Sequence, residues 1–201
     1  MDKLSATEQK ILQAAKEVFV KQGLNGARMQ DIADAAGINK ALLHYYFRSK
    51  DLLFNKVFDE ALLNYLSNSE QWNDDSLSLI DKLYRYVDVY IDFLAEYPLV
   101  PLFVIKEISD NPELFKEKMA VRKKEKNVPH LLENIKKGLL QHPSGIRPEM
   151  LLMNIQSLCA YPFLAGPLYR HMLKMPQKDL DELRTSQLKA SVKKFIATSL
   201  A

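Results

Sequence analysis

The stretch MQDIADAAGINKALLHYYFRSK, residues 29–50, carries the clearest structural pattern in the chain. Ile32 and Ala33 stand at helical spacing with the apolar residues around them, and Gly37 follows as a residue that favours the left-handed conformation at a helix end. Asn39 has the residue type of an N-cap, so a second helix is predicted directly after it. The stretch therefore predicts two short helices joined by a glycine turn.

This layout is that of a helix-turn-helix, whose second helix enters the DNA major groove. Ala33 and Gly37 are small, which would let the two helices cross closely. We expect Ile38, Leu42 and Leu43 to face inward from the second helix. The residues left on its outer side, suited to base and phosphate contact, are Asn39, Lys40, Ala41, His44 and Tyr45.

An amphipathic helix is predicted before this stretch, from Thr7 to Gln22. Ser5 or Thr7 would cap its start, and Gly23 would end it. Phe19 is predicted to pack behind the helix-turn-helix. The expected buried face comprises Ile11, Leu12, Ala15, Val18 and Phe19.

The N-terminal part of the chain resembles the TetR-type transcriptional regulators. The resemblance rests on the first helix ending QGLNGARM, residues 22–29, and on QDIADAAGINKALLHYYFRSKDLL, residues 30–53. It implies an all-α fold, with a three-helix helix-turn-helix DNA-binding domain in residues 1–50. Residues 51–201 would form a larger helical ligand-binding and dimerisation domain. His44 departs from the family, which more often has tyrosine there.

The resemblance implies that Arg28, Met29 and Gln30 lie close to DNA and that Lys50 binds a phosphate. Free amides at the start of the second helix would also attract phosphate. For Gln30, the alternative is a solvated polar residue without contact to DNA.

Residue chemistry suggests what the recognition helix would read. Lys40 suits guanine O6 and N7, Asn39 could serve adenine or phosphate, and Ala41 could touch a thymine methyl. Lys40 and His44 are one helical turn apart and share a face. Tyr45 and Tyr46 could donate their hydroxyls to phosphates, although either could instead be partly core. Phe47 is predicted to be core.

The remaining sequence predicts further helices. A long helix from Asp51 is expected to be apolar on several sides, and another over residues 77–97 is expected to be apolar all round. Residues 148–173 are expected to kink around Pro162 to Pro167, and a last helix should span residues 179–200. Leu180, Leu183, Leu188, Val192, Phe195 and Ile196 are expected on one side of this last helix. By resemblance, the last two helices form a homodimer interface; the alternative is that they form only intramolecular core.

The resemblance also implies a pocket for an unknown small organic ligand whose binding releases the protein from palindromic operator DNA. The candidate lining residues are Tyr84, Val87, Tyr90, Phe103, Glu107, Gln156, Tyr161 and Phe163. Aromatic residues at helical spacing also fill ordinary cores, so each has a purely structural alternative.

Charge is distributed unevenly along the 201 residues. Eight of the 28 basic residues but only five of the 25 acidic ones lie in residues 1–50, so the net charge of +3 belongs to that segment. This favours phosphate binding there. The basic run Arg122–Lys126 could be a second nucleic-acid patch, although a solvated helix face is the simpler interpretation.

Other function classes find little support. A single cysteine, Cys159, excludes an internal disulfide and fits a reducing cytosol, and no signal peptide or membrane-spanning run is expected, so a cytoplasmic protein with no membrane partner is predicted. The scattered histidines predict no metal site, and no phosphate-binding glycine loop or other cofactor motif is found. We predict no enzyme; a helical ligand-binding or scaffold protein that has lost DNA binding is the other rival.

Overall fold

The computed structural model describes residues 5–67, 74, 76–110, 112–113, 116–117, 120, 131–141 and 145–201, with the backbone alone at residues 62–67, 103, 106–107, 110 and 141. The described residues are all-α, as predicted, and contain no strand. The run Arg122–Lys126 lies outside them. Two compact units divide within one helix, between Asn64 and Tyr65. The boundary predicted after Lys50, between a DNA-binding domain and a ligand-binding and dimerisation domain, stays a prediction.

The first unit contains the helix-turn-helix. Helix α1 spans Ala6–Gly26, α2 spans Met29–Ala35, and α3 spans Lys40–Tyr46. Helix α4, Lys50–Ser67, follows and continues into the second unit. The two short helices and the glycine turn predicted from the sequence are confirmed.

A capping box begins α1. The Glu8 amide donates to Ser5 Oγ at 3.2 Å, and the Ser5 amide donates to Glu8 Oε2 at 2.9 Å. The hydrogen bonds from the Ser5 backbone and side chain lower the pKa of the Glu8 carboxyl. Ser5, not Thr7, is therefore the cap. Near the other end, Gly23 interrupts the helix with a φ of 72°.

The predicted face of α1 is buried, and Phe19 packs edge-on against Phe54 of α4 with ring centroids 5.1 Å apart. Over residues 50–61 the apolar side chains of α4 form one stripe, not the broad spread predicted, because Leu52 is exposed. The buried residues of this stripe are Leu53, Phe54, Val57, Phe58 and Ala61.

The second unit consists of packed helices. They are α5 Leu79–Glu96, α6 Val100–Asp110, α7 Leu131–Gln141, α8 Pro148–Leu164, α9 Gly166–Met172, α10 Gln177–Glu182 and α11 Leu188–Leu200. A π-helical turn, Leu183–Gln187, joins α10 to α11. The predicted last helix is thus continuous but contains one wide turn.

Helix α5 lies at the centre of the described part of this unit and packs against α7, α8 and α11. The prediction that it is apolar all round is wrong, because one side of the helix carries exposed polar residues such as Asp81, Arg85 and Asp92. Its opposite side supplies core residues. These are Leu83, Tyr86, Val87, Ile91, Phe93 and Leu94.

Two ion pairs fasten α11 to the polar side of α5. Lys189 Nζ lies 2.5 Å from Asp92 Oδ1, and Lys193 Nζ lies 2.6 Å from Asp88 Oδ2. Lys193 Nζ also lies 5.6 Å from the centre of the Tyr84 ring. The exposed side of α5 is therefore used for helix pairing.

The predicted kink is confirmed as a 63° bend between α8 and α9. Pro162 remains inside α8, and the helical path breaks at Ala165, directly before Gly166. In the last helix Leu180, Val192 and Ile196 are buried as predicted. Leu188 and Phe195 are half-buried, and Leu183 is 39% exposed.

Among the described residues, no single helix has both the length and the apolar composition to span a membrane; α8 and α9 meet those criteria only as a bent pair.

Candidate nucleic-acid interface

The turn between α2 and α3 is a Schellman motif. Gly37 has a φ of 60°, its amide donates to Asp34 O at 3.0 Å, and the Ile38 amide donates to Ala33 O at 3.0 Å. A Cβ at Gly37 would find Lys10 Nζ as its nearest neighbour, at 3.5 Å. The glycine is therefore required for its left-handed backbone and not, as predicted, for a close helix crossing. Ala33 is fully buried and fits the predicted close approach.

Asn39 caps α3, as predicted, because its Oδ1 accepts the Leu42 amide hydrogen at 2.7 Å. This bond occupies the carboxamide oxygen, so contact with a base or phosphate would use the Asn39 amide nitrogen. Leu43 is completely buried and Ile38 is half-buried. Leu42 is exposed, so the prediction that it faces inward is wrong.

The opposite side of α3 is open to solvent. All five residues predicted to face outward are exposed: Asn39, Lys40, Ala41, His44 and Tyr45. Tyr45 is 79% exposed and packs edge-on against the half-buried Tyr46, with ring centroids 5.3 Å apart. Phe47 is buried, as predicted. An exposed aromatic beside a lysine and a histidine gives α3 a surface suited to a polar, anionic partner.

The three residues predicted near DNA at the start of α2 differ in their surroundings. Arg28 is exposed and occupies the N-cap position with extended backbone. Met29 is half-buried. Gln30 is exposed, but its Nε2 donates to Asp34 Oδ1 at 2.8 Å, one turn along the same helix. Gln30 therefore already has a partner in the free chain.

Lys50 was predicted to bind a phosphate, and its surroundings differ from that expectation. Its Nζ donates to Ala27 O at 3.1 Å and to Asn25 O at 3.5 Å. Asn25 lies in the last residues of α1, beyond Gly23, and Ala27 lies in the connection between α1 and α2. Sequence reasoning missed this contact because more than twenty residues separate donor and acceptors and no local pattern marks it.

Residues 11–57, which include all of α2 and α3, match the family described as bacterial regulatory proteins, tetR family. The helix-turn-helix part of the chain is therefore of the tetR type.

Individual TetR-family relatives are similar over part of their length. The HTH-type transcriptional regulator RutR of Escherichia coli is 30% identical over 115 residues, covering 57% of this chain and 54% of RutR. The negative transcriptional regulator IcaR of the biofilm operon icaADBC in Staphylococcus aureus is 31% identical over 107 residues, covering 53% and 55%. The chain thus spans about half the length of these curated relatives.

A solved structure extends the similarity to nearly the whole chain. HlyIIR, a hemolysin II transcriptional regulator, is 26% identical with a TM-score of 0.56, covering 91% of this chain and 97% of that one. The similarity includes the helical part that follows the helix-turn-helix.

The residues predicted to line a ligand pocket are placed in several environments. Val87 and Phe163 are buried, Tyr84 and Tyr90 are half-buried, and Gln156 and Tyr161 are exposed. The side chains of Phe103 and Glu107 lie outside the described part of the chain. The pocket therefore stays a prediction.

One part of the predicted set does come together, around a residue that sequence reasoning missed. Tyr86 is buried, stacks on Tyr90 with ring centroids 5.5 Å apart, and accepts a hydrogen bond from Gln156 Nε2 at 3.5 Å. Burial raises the pKa of the Tyr90 hydroxyl. Tyr161 instead packs against Tyr169.

Proposed function

We propose that this chain is a TetR-family transcriptional regulator that binds double-stranded operator DNA through α3. The observation that carries the proposal is the solvent-exposed side of α3, with Lys40, His44 and Tyr45, opposite the fully buried Leu43. A recognition helix needs this division, because its inner side anchors it while its outer side reads base edges. The regulators named above support the same proposal, and no catalytic activity is part of it.

Individual contacts follow from side-chain chemistry. Lys40 would donate to guanine O6 and N7, and Ala41 would meet a thymine methyl. Tyr45 and Tyr46 would donate to phosphates and set the register of the helix on the duplex. Arg28, Met29, Gln30, Asn39 and His44 complete the proposed interface. Because this DNA lies in the cytoplasm, a cytoplasmic location belongs to the proposal.

Binding to short fragments from upstream of the chain's own gene, measured across a salt series, tests this function. We expect tight binding to one fragment that weakens steeply with salt, because bound lysines and arginines release counterions. Lys40→Ala should weaken binding and reduce the difference in affinity between the fragments. Lys178→Ala removes the same charge from exposed α10 and serves as control. Equal, weak binding to all fragments, unaffected by Lys40→Ala, would favour a helical ligand-binding protein without DNA binding.

We further propose that the chain acts as a homodimer on a palindromic operator, through α8 and α9 together with the last helix. On α8 the buried residues Leu151, Ile155 and Cys159 alternate with an exposed apolar face. The exposed apolar residues of α8 and α9 are Met150, Met153, Leu158, Tyr161, Leu168 and Met172. A group of exposed large apolar residues of this kind is typical of an association surface. Dimer symmetry would also double the base contacts that one short helix makes.

Sedimentation velocity tests the dimer with a matched pair of substitutions. Met153 is 60% exposed on the proposed face, and Leu102 is 58% exposed on α6. Met153→Glu should give a monomer, since a charge would be buried between subunits, whereas Leu102→Glu should leave the dimer intact. A wild-type monomer at micromolar concentration would contradict the dimer.

The regulator is proposed to be a repressor that an unknown small organic ligand releases from DNA. The ligand would bind in the second unit, near the Tyr86–Tyr90–Gln156 cluster described above. A coupling free energy of ~1–3 kcal/mol would weaken operator binding by roughly 5–150-fold. A reporter gene under the operator should be more active without the protein; the reverse result would make the protein an activator.

Ligand release is tested by screening amphipathic organic compounds for their effect on operator affinity. Tyr90→Phe should alter the response to an active compound, whereas Tyr169→Phe, outside the predicted pocket, should not. A compound that stabilises the protein but leaves operator affinity unchanged would contradict release.

A further inference from the structure

We infer that Arg184 is a positioning residue that fixes the bend between α8 and α9, and that the geometry of the proposed dimer face depends on it. The consequence for the dimer rests on the proposed function. The bend is the break at Ala165, where α8 ends and α9 begins. Exposed apolar residues of the proposed face lie on both sides of this break, for example Met153 on α8 and Met172 on α9.

Arg184 occupies a position in the last helix that otherwise holds apolar residues. The residues at every fourth position are buried or half-buried: Leu180, Arg184, Leu188, Val192 and Ile196. In a regular α-helix a repeat of four residues rotates by about 40° at each step, because there are about 3.6 residues per turn. The π-helical turn offsets part of this drift, since the Leu188 amide donates to Leu183 O, five residues back. The wide turn therefore keeps Arg184 on the inner side of the helix.

Two hydroxyl side chains support the wide geometry of the π-helical turn. Thr185 Oγ1 donates to Asp181 O at 2.8 Å and to Glu182 O at 3.2 Å. Ser186 Oγ donates to the same Glu182 carbonyl at 3.1 Å. Such bonds supply donors to backbone carbonyls where the regular hydrogen-bond pattern of a helix is interrupted. The turn is thus stabilised locally, without the Arg184 side chain.

The Arg184 guanidinium contacts both helices at the bend. It lies over the ring of Phe163, in the last turn of α8. A Cβ on Gly166, the first residue of α9, would come within 3.1 Å of Arg184 Nη1, so the glycine leaves space for the guanidinium. Asp181 pairs with Nη2, which offsets the cost of placing a cation where little water reaches it. A planar group that touches the end of one helix and the start of the next holds the angle between them.

The bend angle decides whether both parts of the proposed face can meet the same partner. Helix α9 has seven residues and is therefore about 10 Å long. A change of about 10° in the 63° bend would move its far end by about 2 Å. A symmetric dimer uses the same patch on both subunits, so this displacement would occur twice. Apolar contacts are lost over such a distance, because they require close approach of the side chains.

The first experiment measures the bend by hydrogen exchange of the Tyr169 amide, which donates to Ala165 O at 3.0 Å across the break. Arg184→Met keeps most of the aliphatic stem and removes the guanidinium, and Lys137→Met on exposed α7 is a matched loss of charge. All are made in a Met153→Glu background, which is expected to be monomeric, so that lost protection reflects the bend and not dissociation. We expect exchange to rise about tenfold in Arg184→Met, because the bend loses a charged contact. Lys137→Met should leave it unchanged.

Sedimentation velocity over a concentration series then gives the dimer dissociation constant of the same variants without Met153→Glu. Arg184→Met should raise this constant about tenfold, since the contacts of α9 shift in both subunits. Arg184→Lys keeps the charge but not the planar group and should raise it less. Gly138→Ala is the stability control, because its Cβ would lie 2.7 Å from Leu79 Cδ2, between α7 and α5. It should leave the dissociation constant unchanged.

Three results would overturn the inference. They are unchanged exchange of the Tyr169 amide in Arg184→Met, an unchanged dissociation constant in the same variant, and an equal rise of that constant in Gly138→Ala. The last result would show that the dimer responds only to general loss of stability.

The two proposals fail separately. If exchange rises in Arg184→Met while the wild-type protein is a monomer at micromolar concentration, the role of Arg184 in fixing the bend stands and the homodimer is wrong. If the wild type is a dimer and exchange stays unchanged, the homodimer stands and the role of Arg184 is wrong.

Discussion

The guanidinium carbon of Arg184 lies 5.0 Å from the centre of the Phe163 ring, so the π-helical turn of one helix packs against the end of α8. Arg184 Nη2 also lies 2.5 Å from Asp181 Oδ1, and a Cβ at Gly166 would come within 3.1 Å of Nη1. The Arg184 side chain is only 14% exposed. It therefore fills the space beside the 63° bend between α8 and α9.

Arg184→Met should lower the free energy of unfolding by ~1–2 kcal/mol, because it removes a cation–π contact and a charged hydrogen bond. Urea unfolding followed by circular dichroism measures the change. Arg147→Met is the control, since the Arg147 side chain is 83% exposed and its ion pair with Glu149 lies on the surface. Equal effects of both substitutions would show that the contact with Phe163 does not stabilise the bend.

Gly138→Ala should destabilise the second unit by ~1–3 kcal/mol, because overpacking forces helices apart. The new Cβ would lie 2.7 Å from Leu79 Cδ2 and 2.9 Å from Leu79 Cβ. Gly26→Ala is the matched control, since its Cβ would meet only Gln22 Cβ at 3.6 Å. Thermal unfolding compares the two. The added substitution Leu79→Ala should recover part of the loss; a wholly additive double variant would argue against the clash.

Gly37→Ala should cost ~1–2 kcal/mol, the penalty of a left-handed backbone for a residue with a Cβ. Gly37→Asn should cost less, because asparagine tolerates this conformation. Chemical denaturation of both variants measures the difference. Equal losses would point to crowding at the Cβ position, which the 3.5 Å separation from Lys10 Nζ does not predict.

The buried thiol of Cys159 should make the free energy of unfolding fall with rising pH in the alkaline range. Burial raises the pKa of this thiol from 9.0 to about 12, so the folded protein keeps the proton that the unfolded chain loses. Stability is therefore retained below pH 9 and falls as pH rises towards 12, by up to ~1.4 kcal/mol per pH unit.

Chemical denaturation at pH 8, 9 and 10 measures how steeply the free energy of unfolding falls with pH, and Cys159→Ala serves as the comparison. The variant should lose stability less steeply over this range, whatever its absolute stability. Thiol reagents at pH 8 should modify the native protein no faster than it unfolds, because the sulfur is buried. The same slope in both proteins would contradict the assignment to Cys159.

Local sequence was sufficient to predict the helix-turn-helix. Gly37, Asn39 and the Ile32–Ala33 pair act within one or two helical turns, so residue type fixes the turn, the cap and the buried face. The outward set on α3 followed from the same periodicity. Only Leu42 was misplaced, since it lies at the edge between the buried and exposed sides.

The sequence by itself determined the all-α class, the helix-turn-helix, the kink after Pro162 and the outer side of α3, because these depend on residues close in the chain. Tertiary structure alone decided that Lys50 meets Ala27, that Arg184 meets Phe163 and that the polar side of α5 pairs with α11. Those contacts join helices far apart in sequence. Their partners are chosen by packing and by the reach of long side chains, neither of which leaves a periodic signal in the sequence.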